Sequence, residues 1–172
     1  MSIATVGSAH IVGLHGEPIT VEVDVGRGLY SFSIIGLPDK AIDESKDRVV
    51  TALKNTGLQT PKTENQKVVV SLSPAGTKKE GSHFDLPIAL GYLNASGQIK
   101  TIPKDAWFFG ELSLKGDILP LKGMLALAEK AKASGITTLY IPEENKREAG
   151  LVGDVTIYPC RTLLDIVQHL GG

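Results

Sequence analysis

The sequence has few of the residues and patterns that mark secreted or membrane proteins. Cys160 is the one cysteine among 172 residues, so no internal disulfide can form and a reducing cytoplasm is indicated. No segment approaches the roughly 18 consecutive apolar residues of a membrane span. Residues 1–5 also lack the basic start and apolar run of a signal peptide. We therefore expect a cytoplasmic protein with no membrane partner.

Aromatic residues and net charge are both scarce. Only 5% of residues are aromatic, which argues against a base-stacking platform of the kind that binds single-stranded nucleic acid. The formal net charge is −1, which argues against a basic surface over the whole molecule. A local cluster of Lys and Arg could still bind phosphates, because affinity depends on where the charges gather.

Motifs for nucleotides and metals are also missing. The sequence has no Gly-x-x-x-x-Gly-Lys-Ser/Thr loop, whose backbone amides and lysine would hold phosphates. The four histidines, His10, His15, His83 and His169, have no second ligand three or four residues away, and Cys160 stands alone. We therefore expect neither a cofactor nor a metal in these residues.

What is present predicts one mixed α/β domain over residues 1–172. About 42% of residues are apolar and 22% charged, enough for a substantial core. Alternating apolar residues predict strands at 5–14 and 19–25, joined in a hairpin by residues 15–17. Further strands are predicted at 31–35, 67–72, 107–114, 118–119 and 138–141. The strand at 67–72 is apolar enough to lie centrally in the sheet.

Helical periodicity appears between these strands. One helix is predicted around Ile42 to Leu53, with acidic residues early, basic residues late and Gly57 as its stop. Others are predicted at 85–93, 122–134 and 162–170, the last opened by a capping box of Thr162 and Asp165. The resulting order indicates an α+β or mixed α/β fold with helices packed on a mixed sheet.

The segment from Ser71 to Leu90 is the most unusual, because a buried strand runs into a polar, glycine-punctuated loop before an apolar helix. Loops of this kind commonly carry binding sites, since helix-terminal amides point into them. Lys78 and Lys79 could meet phosphates there, or could be solvated loop residues; the sequence leaves both open.

Three blocks together resemble the ComM/YifB group of magnesium-chelatase-like AAA+ proteins. Residues 35–48 contain Gly-Leu-Pro-Asp followed by Glu-Ser-x-x-Arg. Residues 72–89 contain Leu-Ser-Pro-Ala, Lys-Glu-Gly-Ser and Phe-Asp-Leu-Pro-Ile-Ala. Residues 109–116 and 119–120, with Ile-Pro-Glu-Glu-Asn at 141–145, are shared more widely with Lon protease domains.

This resemblance implies an N-terminal domain with the Lon proteolytic fold, which is similar to the second domain of ribosomal small-subunit protein five. An AAA+ motor that binds ATP and Mg would follow it in the whole protein. Gly171 and Gly172 would then mark a hinge where a longer chain was cut, although they could also be a helix C-cap.

The resemblance to Lon also implies positions for the Ser-Lys pair. His83 falls at the position of the Lon serine, and Leu125 at that of the lysine. Neither residue can run an acyl-enzyme cycle, so no catalytic residue is expected. Ser82 and Lys122 are each displaced from the matching position, and a one-residue slip in a helix turns a side chain by about 100°.

The implied function is therefore a non-catalytic assembly and DNA-contacting domain. By resemblance the whole protein would be a hexameric helicase acting in branch migration during recombination and natural transformation, and the repair protein RadA is a similar case. Two alternatives stay open: a Lon-type Ser-Lys hydrolase and a purely architectural oligomerisation domain. The candidate DNA contacts are Lys78, Lys79, Arg27, Lys62 and Lys67.

Overall fold

The fold was obtained as a computed structural model and is described for residues 2–171. Met1 and Gly172 lie outside the described residues. One of the two glycines of the predicted terminal hinge is therefore not described. The strands are β1 Ile3–Val12, β2 His15–Arg27, β3 Ser31–Ile35, β4 Gln66–Ser73, β5 Ala106–Phe108, β6 Glu111–Leu112, β7 Ile118–Leu119, β8 Thr138–Pro142 and β9 Thr156–Cys160. The helices are α1 Lys40–Asp43, α2 Ser45–Asn55, α3 Asp85–Ala95, α4 Met124–Ala133, α5 Lys146–Gly150 and α6 Leu163–Gly171.

The main sheet is mixed, as the sequence predicted. Its seven strands lie in the order β3-β4-β2-β1-β5-β8-β9. The β1–β2 and β2–β4 pairs are antiparallel, whereas β3–β4, β1–β5, β5–β8 and β8–β9 are parallel. Strands β6 and β7 form a separate antiparallel ribbon.

Helices cover the two faces of the sheet unequally, and this produces two apolar clusters. The larger cluster joins β1, β2 and β4 to α2, α3 and α6. The smaller one lies on the opposite face, where α4 and α5 pack on Trp107, Leu139 and Ile141. Helix α3 is buried on nearly every side, because it is apolar around its whole circumference.

The predicted hairpin is correct in pairing and wrong in its turn. Strands β1 and β2 pair from Ile3↔Asp24 to Val12↔His15, so the turn is Gly13-Leu14 and not residues 15–17. Gly13 has a φ of +65°, which a non-glycine residue rarely adopts.

Strand β4 lies inside the sheet, between β3 and β2, as its apolar run predicted. It is nevertheless buried on one face only, because its residues alternate between buried and more exposed positions, and Val69 is 39% exposed. The apolar run of valines therefore reflects strand propensity as well as burial.

Two predicted elements are each divided in the structure. The helix expected from Ile42 to Leu53 is interrupted at Glu44, which ends α1 and precedes α2. The strand expected at 107–114 is split at Phe109 and Gly110. There the backbone turns from β8 towards the loop before α3. The N–H of Phe109 donates to the carbonyl of Tyr140 in β8, and the N–H of Gly110 donates to the carbonyl of His83.

Strand β9 and helix α5 were not predicted, because they are short and only half buried. The helix expected at the chain's end begins at Leu163, and the N–H of Asp165 donates to the hydroxyl of Thr162, as a capping interaction requires. Within residues 2–171, no helix is long and apolar enough to cross a membrane.

Candidate functional site

The three sequence blocks meet at one cleft of about 470 Å³. It opens between the end of β1, the loop before α3, β6 and the segment before α4. The polar residues that line it are Asp39, Glu80, Ser82, His83, Glu111 and Lys122.

The first block is fastened to the second through the backbone. The N–H of Lys79 donates to the carbonyl of Leu37, and the N–H of Asp39 donates to that of Lys79, both at 3.0 Å. Asp39 then uses both carboxylate oxygens: one caps α1 at the N–H of Ile42, and the other accepts from the N–H of Gly81. One side chain therefore sets the start of α1 and the wall of the cleft together.

Asp85 joins all three blocks and is fully buried. Its carboxylate accepts from Arg48 through Nε at 2.7 Å and Nη2 at 3.0 Å, from the hydroxyl of Ser45, and from the N–H of Leu112 at 3.0 Å. Burial raises the pKa of Asp85, whereas these donors favour the ionised form.

The same ion pair explains the interruption between α1 and α2. Arg48 Nη2 also donates to the carbonyl of Ala41 at 2.7 Å, four residues before Ser45. That oxygen would serve the helical ladder if α1 continued. The Glu-Ser-x-x-Arg motif thus ties α2 to the start of α3.

Ser82 is bound to a carboxylate within the cleft. Its hydroxyl donates to Oε1 of Glu111. Lys122 lines the same cleft and is exposed, and among the described residues it has no ion-pair partner and no side-chain hydrogen bond. Ser82 is therefore paired with glutamate in this geometry and not with lysine.

The imidazole of His83 is fixed by a backbone contact. Its Nε2 lies 2.8 Å from the carbonyl oxygen of Ala9; because a carbonyl can only accept, Nε2 donates. Burial lowers the pKa of His83 to about 4, so the imidazole is neutral at neutral pH. Its ring also packs on Phe84, with centroids 4.4 Å apart.

The structure does not bring the two inferred Lon positions into one site. His83 lines the cleft, whereas Leu125 lies on α4 in a separate groove with Leu151 and Val152. The backbone N–H of Leu125 donates to Glu148.

Three of the five predicted DNA contacts lie at one end of the β2–β4 pair. Arg27 ends β2 beside Gln66, Lys67 lies opposite Gly26, and Lys62 is in the loop that leads into β4. All three are exposed. Arg27 and Lys67 occupy alternate positions of the ladder, so they leave opposite faces of the sheet at this end, and Glu64 lies beside Arg27.

The other two candidates, Lys78 and Lys79, lie past the opposite end of β4. Eight strand residues separate the two ends, which corresponds to about 25 Å. Lys78 is exposed, but Lys79 is completely buried, so its assignment as a DNA contact is wrong. Lys79 pairs with Pro38 in a short parallel bridge, and successive side chains of extended backbone point in opposite directions.

The sequence did not single out Asp85 or Glu111 as partners in this site. Both belong to the quoted blocks, but their contacts span 37 and 29 residues and depend on the tertiary fold. A carboxylate at the start of an otherwise apolar helix was the one local sign. Among residues 2–171, no group of three or more His, Cys, Asp or Glu side chains could hold a metal ion.

The mixed α/β fold together with a distant sequence match indicates a Lon-like module. Lon protease from Brevibacillus choshinensis is 21% identical over 163 residues, which cover 90% of this chain and 21% of that protein.

Comparisons at higher identity define the family. A family model described as subunit ChlI of Mg-chelatase matches residues 21–145. Competence protein ComM of Haemophilus influenzae is 39% identical over 176 residues, which cover all of this chain and 33% of that protein. The uncharacterized protein YifB of Escherichia coli is 35% identical over 153 residues, covering 88% of this chain and 29% of that protein.

The chain therefore belongs to the magnesium-chelatase ChlI family, and its predicted place in the ComM/YifB group is confirmed. It spans about a third of the length of these two relatives.

Proposed function

We propose that this chain is a non-catalytic, Lon-like assembly and DNA-contacting module of a ComM-like AAA+ motor. The observation that supports the DNA contact is that Arg27, Lys62 and Lys67 are all exposed at one end of the β2–β4 pair. Backbone phosphates suit these residues, because they offer positive charge without aromatic stacking.

The remainder of the proposal concerns the whole protein. Because the chain spans a third of ComM and carries no phosphate loop, ATP, Mg and the motor would belong to the other two thirds. The whole protein would be a hexamer that drives branch migration in recombination and natural transformation, in keeping with a relative named as a competence protein. A ring would amplify weak phosphate contacts by multivalency.

Charge reversal tests the DNA contact. We expect the Arg27→Glu/Lys62→Glu/Lys67→Glu variant to bind fluorescent single-stranded and forked DNA at least tenfold more weakly at low salt. The slope of log affinity against log salt concentration should also fall in magnitude by about 2, because each of the three phosphate contacts contributes about 0.7 to it on single strands. Fluorescence anisotropy across a salt series measures both quantities.

The matched control reverses three exposed lysines elsewhere, Lys100, Lys104 and Lys115. This control variant changes the net charge by the same amount and should retain most of the affinity for DNA. Equal losses of DNA affinity in the two variants would mean that overall charge, and not these three residues, determines DNA binding. Absence of DNA binding at low salt, with a ring in light scattering, would favour the purely architectural alternative.

The hydrolase alternative rests on Ser82, because its hydroxyl is bound to Glu111 within a cleft. A carboxylate is a weak base for a serine, and a Ser-Lys mechanism needs the lysine amine within about 3 Å of the hydroxyl. We expect a fluorophosphonate probe to leave the protein unlabelled and casein to stay uncleaved. Labelling that disappears in Ser82→Ala but persists in Ser113→Ala would contradict the non-catalytic proposal.

A further inference from the structure

Two basic side chains are buried beside the loop that follows β4, and neither forms an ion pair within 4 Å among residues 2–171, although the carboxylates of Glu17 and Glu80 lie near enough to act on His10. Lys79 is completely buried, and its Nζ donates a hydrogen bond to the carbonyl of Pro74. His10 is 2% exposed, and its buried Nε2 atom has no hydrogen-bond partner within residues 2–171.

This arrangement is unfavourable unless something else satisfies the two groups. A buried donor without an acceptor costs about 1–3 kcal/mol, and a buried charge normally has a partner. The two groups are also near one another: burial lowers the pKa of His10, and the positive charge of Lys79 lowers it further. Burial likewise lowers the pKa of Lys79.

A cavity of about 250 Å³ opens beside them, between the β1–β2 hairpin and the loop after β4. The exposed Thr77 supplies a hydroxyl to it, and His10 forms part of its wall. Pro74, the residue that accepts from Lys79, forms part of its wall. The remaining apolar wall consists of Val12, Pro18 and Ile19.

We propose that this cavity binds a small carboxylate with a short aliphatic body. The carboxylate oxygens would accept from Nε2 of His10 and from the hydroxyl of Thr77, and Lys79 behind Pro74 would supply a favourable potential. The apolar walls would pack against the aliphatic part. The volume admits a four- or five-carbon acid, or the last residue of a peptide. This site is separate from the cleft at Ser82 and does not depend on the proposed function.

Two carboxylates near His10 oppose an anion: Glu17, which lines the cavity, and Glu80, which does not. Glu17 lies across from His10 in the β1–β2 register, and its carboxylate is exposed at the cavity. Removing its charge should therefore strengthen binding. We expect Glu17→Gln to bind a carboxylate two- to fivefold more tightly.

The test is an NMR titration of the histidine ring signals with sodium butyrate at constant ionic strength. We expect a saturable shift of the His10 signal in the millimolar range. Butyramide, the neutral ligand of the same shape, should bind at least tenfold more weakly, and sodium chloride should give no saturable shift. The exposed His15, on the same hairpin, serves as the internal control.

Variants of neighbouring residues separate this site from general surface charge. Lys79→Met should lower butyrate affinity at least tenfold, whereas Lys78→Met, one residue away and exposed, should leave it unchanged. Thr77→Val should lower the affinity three- to tenfold; because Thr77 is exposed, this variant keeps the test valid if Lys79→Met fails to fold.

The source of the carboxylate is distinguished by a second probe. N-acetylvaline presents a peptide C-terminus; tighter binding than butyrate would assign the site to a protein tail, and weaker binding to a free acid. Either result supports the site. A non-saturable His10 shift, or equal shifts with butyrate and butyramide, would overturn it and leave a buried water as the partner of His10.

Discussion

Replacing Asp85 with alanine is expected to lower the free energy of unfolding by about 3–5 kcal/mol, the range found when one partner of a buried ion pair is removed. The carboxylate is fully buried, and four donors point at it from Ser45, Arg48 and Leu112. The variant leaves those donors without their carboxylate acceptor. Urea unfolding with an unchanged m-value would measure the loss.

Asp43→Ala is the control for this prediction. Its carboxylate also pairs with a basic residue, Lys46 at 3.5 Å, but is 54% exposed, and an exposed pair contributes about 0–1 kcal/mol. If the two variants lost similar stability, the junction at Asp85 would not hold the three blocks together. The double variant Asp85→Leu/Arg48→Met should be more stable than Asp85→Ala, because it removes both charges at once.

The second large effect is expected at Gly36, which follows β3. Its φ is +105°, and a Cβ added there would overlap the carbonyl oxygen of Leu72. We expect Gly36→Ala to lower the free energy of unfolding by about 3–5 kcal/mol. A strained backbone costs about 1–3 kcal/mol, and overpacking costs about as much again. Thermal and urea unfolding of the variant would measure this.

Gly135→Ala separates the two causes. Gly135 also has a positive φ, +80°, but a Cβ there meets nothing within 4 Å. Gly135→Ala should lower the free energy of unfolding by about 1–2 kcal/mol, which is the cost of the left-handed conformation alone. Equal losses at the two glycines would mean that the backbone near Leu72 moves aside and that Gly36 is not required for close approach.

Gly36 also matters for the cleft. The next residues, Leu37 and Asp39, hold the backbone at Lys79 and Gly81. A shift of the chain at Gly36 should therefore disturb the wall that carries Ser82. The Gly-Leu-Pro-Asp block is thus a structural connection between the edge strand and the site.

Much of the fold could be predicted because its periodicities are local. The alternation in β2, the apolar helix α3 and the boundaries of β3 follow from side-chain patterns within a few residues. Strand β9 and helix α5 could not be predicted in this way, because their stability comes from packing on β8 and α4. The break at Glu44 likewise depends on Asp85, 41 positions along the chain.

The candidate site shows the same division. The quoted blocks were enough to assign the family, because residue type and spacing survive in a one-dimensional comparison. The sequence could not distinguish Lys78 from Lys79, since both are lysines in the same polar loop. The bridge to Pro38 decides that one side chain meets solvent and the other is buried.

The sequence by itself determined the family, the mixed α/β class and most strands and helices, because these depend on local pattern and on motif identity. Only the tertiary structure decided which polar side chains meet. It paired Ser82 with Glu111, placed Leu125 in a different groove from His83, and buried Lys79 while leaving Lys78 exposed. The physical reason is that hydrogen bonds and charges act over a few ångströms, and distant segments reach that range only when the chain has folded.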